Sequence, residues 1–459
     1  MFIKNDVLVK IGFRRKRIRV IVGDVQMRKQ KMRKGILLMA GIAVLFCRWS
    51  AAQAASNELG EIRQKLTDLE DRTAQLEEKQ KAESGPTDFR VFWKEGLNLT
   101  TEDGTFKLKI GGRLQNDWFW SSEDSGIKAN IGEQEDGVEF RRARVYFSGL
   151  IYDNVEYKLQ FGFEGGDVDL QDAYLALTDF PFGTLKMGRF NEPFSLDELT
   201  SSKYITFMER ALPTAFAPGR NDGFMLHNVA SNERMTTAVG VFRDTDDYGE
   251  GVDDGGYNVT GRITALPIYR DKGASLLHVG AAYSYRNPDD SVRYRQRPEA
   301  HLAEYFIDTG SFAGDQADLL GLEAAWVNGP FSLQGEYIKT DVSRIGGSDV
   351  TFDGYYVQAS YFLTGEHRSY KTSEAAFSRT KPKKNYSSGG GCGAWEVKAR
   401  YSELDLNDGS INGGELDNIT AGLNWYLNPN TKIMWDYIHA DKDRIGQADI
   451  FMMRLQFDF

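Results

Sequence analysis

Two arginines stand two residues apart in RRARVYFSG, at Arg142 and Arg144, with apolar Ala143 and Val145 beside them. Lys107, Lys109 and Arg113 follow the same alternation in FKLKIGGRLQNDWFW. Lys158 in EYKLQFGFE and Lys186 in TLKMGRF extend it. Residues two apart on a strand share one face. A guanidinium presents a planar fork of N–H donors that fits the oxygens of phosphate or carboxylate. A row of such groups on one face is chemistry for holding anions weakly and in series. Catalysis needs a nucleophile with a general base in reach. The five histidines, His227, His278, His301, His367 and His439, are scattered, and no G-x-S-x-G occurs, so no enzyme activity is expected. DTDDYGEGVDD begins like a calcium loop at Asp244, but Tyr248 stands where a ligand is needed and Gly255 takes the twelfth place. GGG at 389–391 lacks the Lys-Ser/Thr of a phosphate-cradling loop. No cofactor and no metal site are expected.

The elements that carry these residues are strands. From about residue 105 the hydropathy pattern has period 2 and keeps it to the end. Sixteen such segments can be counted, from FKLKIGGRLQNDWFW to FMMRLQFDF. The last alternates Phe451, Met453, Leu455, Phe457 and Phe459 with Met452, Arg454, Gln456 and Asp458. An amphipathic aromatic strand at the chain end fits a barrel closed by its last strand. The connections alternate in character. YDN, DFPFG, ASNE, NGP and NPN are short. SSEDSGIKANIGEQEDG, DTDDYGEGVDDGG, RNPDDSVRYRQRPEA, TDVSRIGGSDVT and NDGSINGGELD are long and mostly acidic. The pattern predicts an all-β fold: a sixteen-stranded antiparallel transmembrane β-barrel of the outer membrane over 105–459, with both ends on the short-turn, periplasmic side. Residues 364–393 break the rule, being long on that side. A soluble sandwich would need neither so many strands nor an export signal.

The N-terminal region supplies that signal. Arg28, Lys29, Lys31, Arg33 and Lys34 precede the apolar run Gly35 to Phe46, and Ala52-Gln53-Ala54 is an A-x-A site. Residues 1–54 read as a signal peptide cleaved after Ala54, with 1–26 an over-extended start. Without the 13 basic and 2 acidic residues of that segment, 43 basic and 64 acidic residues remain, a net charge of −21. That excludes nucleic acid as a partner. Only Cys392 remains, so no internal disulfide is expected. Residues 55–86 read as a periplasmic coiled-coil segment, with Leu59, Ile62, Leu66, Leu69, Thr73 and Leu76 at 3-4 spacing before a linker at 87–104.

Lipid must meet the apolar face of each strand. Phe106, Leu108, Ile110, Leu114 and Trp118 therefore face out, and Lys107, Lys109, Arg113, Gln115 and Asp117 face the lumen. By the same rule Arg142, Arg144, Tyr146, Lys158, Gln160, Glu164, Lys186, Arg262, Lys398, Arg400, Lys432 and Arg454 point inward. So do Asp172, Glu323, Glu336, Glu396, Asp436 and Asp458. Basic side chains in a narrow lumen select anions. The connection at 189–223, RFNEPFSLDELTSSKYITFMERALPTAFAPGRNDG, is long, moderately apolar and helix-friendly around Tyr204 to Leu212. Folded inward it would narrow the lumen and bring Lys203, Arg210 and Arg220 to the constriction, with Glu209 as a partial offset.

RFNEPFSLDELTSSKYITFMER resembles the constriction-loop signature of the phosphate-selective porin O and P family. RRARVYFSGLIYDNVEYK and LQDAYLAL resemble its early strands. GEHRSY with AF shortly after, GAWEVKARYSELDLNDG and GLNWYLNPN resemble its late ones. The matches run in order over roughly 105–459. The resemblance implies a homotrimeric outer-membrane channel that passes small anions such as phosphate, pyrophosphate or polyphosphate along a ladder of arginines and lysines. It places Lys203 and Arg210 on the constriction loop. The long periplasmic connection lies inside one of the matches, so it is a family feature. The loops carry acid and no dense lysine cluster, which departs from the family and leaves open a general or cation-tolerant porin. Outer-membrane lipid and small anions are the expected partners.

Overall fold

The computed structural model describes residues 72–73, 89–252 and 256–459. The signal peptide and nearly all of the coiled-coil segment lie outside the described residues; Arg72 and Thr73 are helical. Sixteen strands form the barrel: β1 (Phe106–Glu123), β2 (Gly137–Ile151), β3 (Val155–Gly162), β4 (Asp169–Phe180), β5 (Gly183–Asn191), β6 (Arg220–Val229), β7 (Met235–Arg243), β8 (Asn258–Arg270), β9 (Ser275–Arg286), β10 (Phe312–Asn328), β11 (Phe331–Arg344), β12 (Val350–Phe362), β13 (Ala394–Asp408), β14 (Ile411–Asn428), β15 (Thr431–Lys442) and β16 (Gly446–Asp458). Each pairs antiparallel with the next, and β16 returns to β1 with Arg454 opposite Asp117 and Asp458 opposite Arg113. The sheet closes, as the even strand count requires. Ser387–Cys392 belongs to a separate small unit in which Ser387 bridges to Gly391.

The chain's last residue takes part in closure. Phe459 N–H donates to the Gly112 carbonyl at 3.1 Å and Gly112 N–H to the Phe459 carbonyl at 2.8 Å. Within 87–104, expected as a linker, Phe89–Trp93 and Leu97–Thr101 form a hairpin. Its second strand pairs with β1 from Leu97–Ile110 to Thr100–Lys107, just where β16 has ended.

Burial is inverted relative to a water-soluble fold. Phe224, Val239, Ile263, Leu322, Val357 and Ile419 are exposed on the outer face. Arg113, Asp117, Arg142, Asp172, Arg262, Glu336 and Arg454 are buried inside. Apolar outside and polar inside is the arrangement of a barrel whose outer face meets lipid. Towards the long-loop end the pattern reverses. Leu404, Leu406, Leu416, Ile438 and Ile450 turn inward and pack with Phe216 and Phe306 from the loops and Phe312 at the start of β10. Two stretches expected as long loops, 340–351 and 407–417, are therefore mostly strand, and their connections shrink to 345–349 and 409–410. Alternation continues there because the strands have an apolar plug to cover.

The plug is the connection 192–219, which enters the lumen as expected. Its local structure differs from expectation. A single helical turn forms at Leu196–Leu199 and a 3-10 turn at Leu212–Ala215, while the stretch from Tyr204 to Leu212 is irregular. The wall supplies hydrogen bonds that a helix would otherwise make internally. Gln115 donates to the Ser202 carbonyl at 3.1 Å, Gln456 to Lys203 at 3.1 Å and Lys432 to Ile205 at 3.3 Å. Lys398 and Asn424 donate to Thr206 at 2.9 and 2.8 Å, Arg400 to Glu209 at 3.1 Å, and Arg454 to Met208. Glu336 accepts from Leu196 N–H at 2.9 Å and Asp197 N–H at 2.7 Å. Phe194 lies against Gly321, where an added Cβ would come within 2.9 Å of the ring.

Glu336→Ala removes the acceptor for two buried amides, at about 1–3 kcal/mol each. The loop of this variant is expected to become cleavable by trypsin at Lys203 and Arg210 while the barrel stays intact. Equal resistance of variant and parent would show that Glu336 does not hold the loop.

Candidate functional site

Docking of the loop against β11, β13–β16 and β1 leaves the lumen open on the side of β1–β7. Three chambers lie in series there. The outer one, about 440 Å³, is lined by Arg141, Arg142, Arg210, Arg293, Arg295 and Arg297 against Glu198, Glu209 and Glu299. The middle one, about 710 Å³, has ten Lys or Arg against four Asp or Glu. The inner one, about 990 Å³, has eight against four. Arg141, Arg142, Glu198 and Arg210 belong to both outer and middle chambers. Arg113, Lys158, Tyr174 and Ser201 belong to both middle and inner chambers. The basic excess is thus continuous.

The expected residues fall into three groups. Lys109, Lys186 and Lys203 line the chambers and make no ion pair with a described carboxylate. Lys186 Nζ sits 3.8 Å from the Tyr174 ring centroid and 4.4 Å from that of Phe190. Lys203 Nζ lies 5.5 Å from the Tyr146 ring and 5.2 Å from the Tyr204 ring. Arg113 joins this group through neutral partners, donating to Ser202 Oγ at 2.6 Å. A second group faces the chambers while paired. Lys158 meets Asp172 at 2.8 Å, Arg220 meets the same carboxylate at 3.2 Å, Arg144 meets Glu164 at 2.6 Å, and Arg142 lies 3.6 Å from Glu209. Arg210 forms a third case. It pairs with Glu198 at 3.1 Å and donates to the carbonyls of Asp197, Glu198 and Thr200, all within its own loop, so it mainly shapes the loop that carries it. Lys107 is exposed at the periplasmic end of β1 and lines none of the three chambers.

The inward bases on the far wall serve otherwise. Lys398, Arg400, Lys432 and Arg454 hold the loop, and three of them pair locally, Lys398 with Asp436, Arg400 with Glu299 and Arg454 with Asp117, each at 2.6 Å. Glu209, expected as an offset at the constriction, is surrounded by Arg141 at 3.0 Å and Arg454 at 2.6 Å. Burial pushes the Glu209 carboxyl up, but Arg141, Arg142 and Arg454 outweigh it and hold it well below the usual carboxylate range. Burial pushes the Lys203 ammonium down to about 7, and nearby Arg113 adds to the effect.

Several chamber residues were not expected. Arg141 should face lipid by simple alternation. A bulge places Gln115 opposite Arg142 and Asn116 opposite Phe140, so Arg141 turns inward as well. The cost of a guanidinium in lipid was the available signal. Arg293, Arg295 and Arg297 come from a connection taken as acidic; the period-2 RYRQR within it was the clue. Lys371, Arg379, Lys381 and Lys383 come from the long connection after β12 and line the inner chamber. Their presence corrects the expectation that no loop carries a cluster of lysines.

Sequence comparison is consistent with this geometry. The family described as phosphate-selective porin O and P matches residues 108–459. Porin O of Pseudomonas aeruginosa is 31% identical over 420 residues, covering 81% of this chain and 93% of that protein. A Caulobacter vibrioides protein described as uncharacterized is 33% identical over 401 residues, covering 83% of this chain and 78% of its own. In fold the chain resembles OmpT, an outer membrane protein of Vibrio cholerae, with a TM-score of 0.51 at 10% identity over 77% of this chain and 98% of that one. It also resembles an anion-selective porin from Comamonas acidovorans, with a TM-score of 0.50 at 14% identity over 77% of this chain and 100% of that one. A closed sixteen-strand barrel, an inward loop and a match over nearly all of the barrel lead to one conclusion: the chain belongs to the phosphate-selective porin O and P family of outer-membrane porins and is a channel, not an enzyme.

Proposed function

We propose that this porin lets small anions, chiefly phosphate and its condensed forms pyrophosphate and polyphosphate, diffuse passively into the periplasm. The observation that carries the reading is the continuous basic excess of the three chambers in a chain that is strongly acidic elsewhere. Lys109, Arg113, Arg142, Arg144, Lys158, Lys186, Lys203 and Arg220 act as successive weak sites. Each replaces part of the ion's hydration and then hands the ion on. Arg210 acts by shaping the constriction, and Lys107 by raising the local potential at the exit. The family's description as phosphate-selective supports phosphate as cargo. Export by the 1–54 signal, cleavage after Ala54 and assembly as a homotrimer clamped by 55–86 complete the picture.

The test is the zero-current potential of purified protein in a planar bilayer under a KCl gradient, followed by phosphate titration. An anion-signed potential with saturable phosphate block is expected. A cation-signed potential without block would identify a general or cation-tolerant porin governed by its acidic loops. Reversing two lumen charges in Arg142→Glu/Arg144→Glu should lower the anion-to-cation permeability ratio about tenfold, from a change of about 1.4 kcal/mol in ion energy. No change would place both side chains outside the conduction path.

Lys203 adds a pH dependence. Its ammonium pKa is lowered to about 7, so the site is charged below that pH and neutral above it. Chloride selectivity should therefore fall as pH rises through about 7, and the midpoint should vanish in Lys203→Arg. A flat profile for the parent protein would remove Lys203 from the selectivity mechanism.

A further inference from the structure

The middle chamber is not uniformly polar. Strands β4–β7 turn Ala176, Met225, Val229 and Ala238 into it, and Phe190 closes the corner. These positions are inward by parity, since their neighbours Phe224 and Val239 are 64% and 53% exposed on the lipid face. Lys186 stands in the middle of this wall, directly opposite Ala176 on β4 and Met225 on β6. Ala238 lies opposite His227 one row away. The outer chamber has no comparable wall; its less polar lining is Ala215, Ala300 and Tyr305. Thr184, His227 and Thr236 interrupt this lining, but the apolar side chains themselves offer a hydrated inorganic ion no donors and order water to no benefit. Beside the Lys186 ammonium, which pairs with no carboxylate among the described residues, they make an amphipathic site, with room of about 710 Å³, the size of a small-molecule pocket.

Resting on the anion-channel reading above, we propose that this chamber prefers organic phosphate monoesters with a compact apolar body over inorganic phosphate. The phosphoryl group meets Lys186 and Arg220. The body lies against Met225, Val229 and Ala238, where it displaces water from apolar surface. Such esters cross the constriction with two complementary contacts, whereas inorganic phosphate has one.

The experiment is block of the chloride current by phenyl phosphate, glycerol phosphate and inorganic phosphate, at a pH where all three are dianions. Phenyl phosphate should block at about tenfold lower concentration than either of the others, equivalent to about 1.4 kcal/mol. Glycerol phosphate separates an apolar body from mere size. In Met225→Gln/Val229→Asn the ratio of half-blocking concentrations should fall towards one; a conducting variant is a folded one. Equal block by the three anions in the parent protein, or a ratio unmoved in the variant, would overturn the proposal. A cation-signed zero-current potential with no block by any anion would instead overturn the reading on which it rests.

Discussion

The geometry of the lumen depends on one constraint: the backbone of 192–219 is buried inside a barrel and must find hydrogen-bond partners there. An inward helix would satisfy itself. This loop does not form one, so the wall satisfies it. Side chains from β1, β13, β14, β15 and β16 reach its carbonyls from Ser202 to Glu209. Carboxylates on β11 and β15 take its amides, Glu336 from Leu196 and Asp197, Asp436 from Met208. That commitment decides which inward cations remain for ions. Lys398, Arg400, Lys432 and Arg454 are held at the loop, whereas Lys186 and Lys203 remain without a carboxylate partner among the described residues. The path follows the wall that the loop leaves uncovered.

The same constraint separates the two signs of charge. Acids on β12–β14, such as Asp353, Glu403, Asp405 and Asp417, lie on the outer face, because the inner face at that height is packed apolar against the loops. Bases accumulate lower down, where the lumen holds solvent. A chain with a net charge of −10 can therefore present a basic interior. Charges outside the wall act through water and are screened within about 8 Å at physiological salt. Those lining a narrow chamber act at short range and in a lower effective dielectric.

Much of this was legible in the sequence. All sixteen period-2 segments lie on observed strands, because lipid outside and water inside impose alternation on every residue. The facing of Arg142, Arg144, Arg113 and Arg454 followed from the same rule. What it could not supply is instructive. The bulge that turns Arg141 inward changes one residue of register, and alternation is blind to that. The inverted pattern at Leu404, Leu406 and Leu416 resembles loop sequence because acids interleave it. Whether an inward base is paired, anchored or free is a property of distant strands. Arg454 is 337 residues from its partner Asp117 in sequence, and they meet because the barrel closes.

Pairing also sets how tightly the lumen can hold an ion. A row of bare guanidiniums would bind phosphate strongly, since one unit charge at 4 Å is worth about 4 kcal/mol at an effective dielectric near 20. Two such contacts would bind the ion too tightly for rapid exit. Here Asp172 stands between Lys158 and Arg220, and Glu164 beside Arg144. Each carboxylate cancels much of the field of its partners at the distance of a passing ion, while leaving N–H donors directed at the chamber. Lys109, Lys186 and Lys203, which have no carboxylate partner among the described residues, then stand out against a partly neutralised wall. A few unpaired cations spaced among paired ones give attraction at entry and small steps between sites, which is what conduction past bound ions requires. Under the proposed function the lumen carboxylates take part in transport, and removing Asp172 should lower the phosphate concentration that half-blocks the chloride current while reducing phosphate flux.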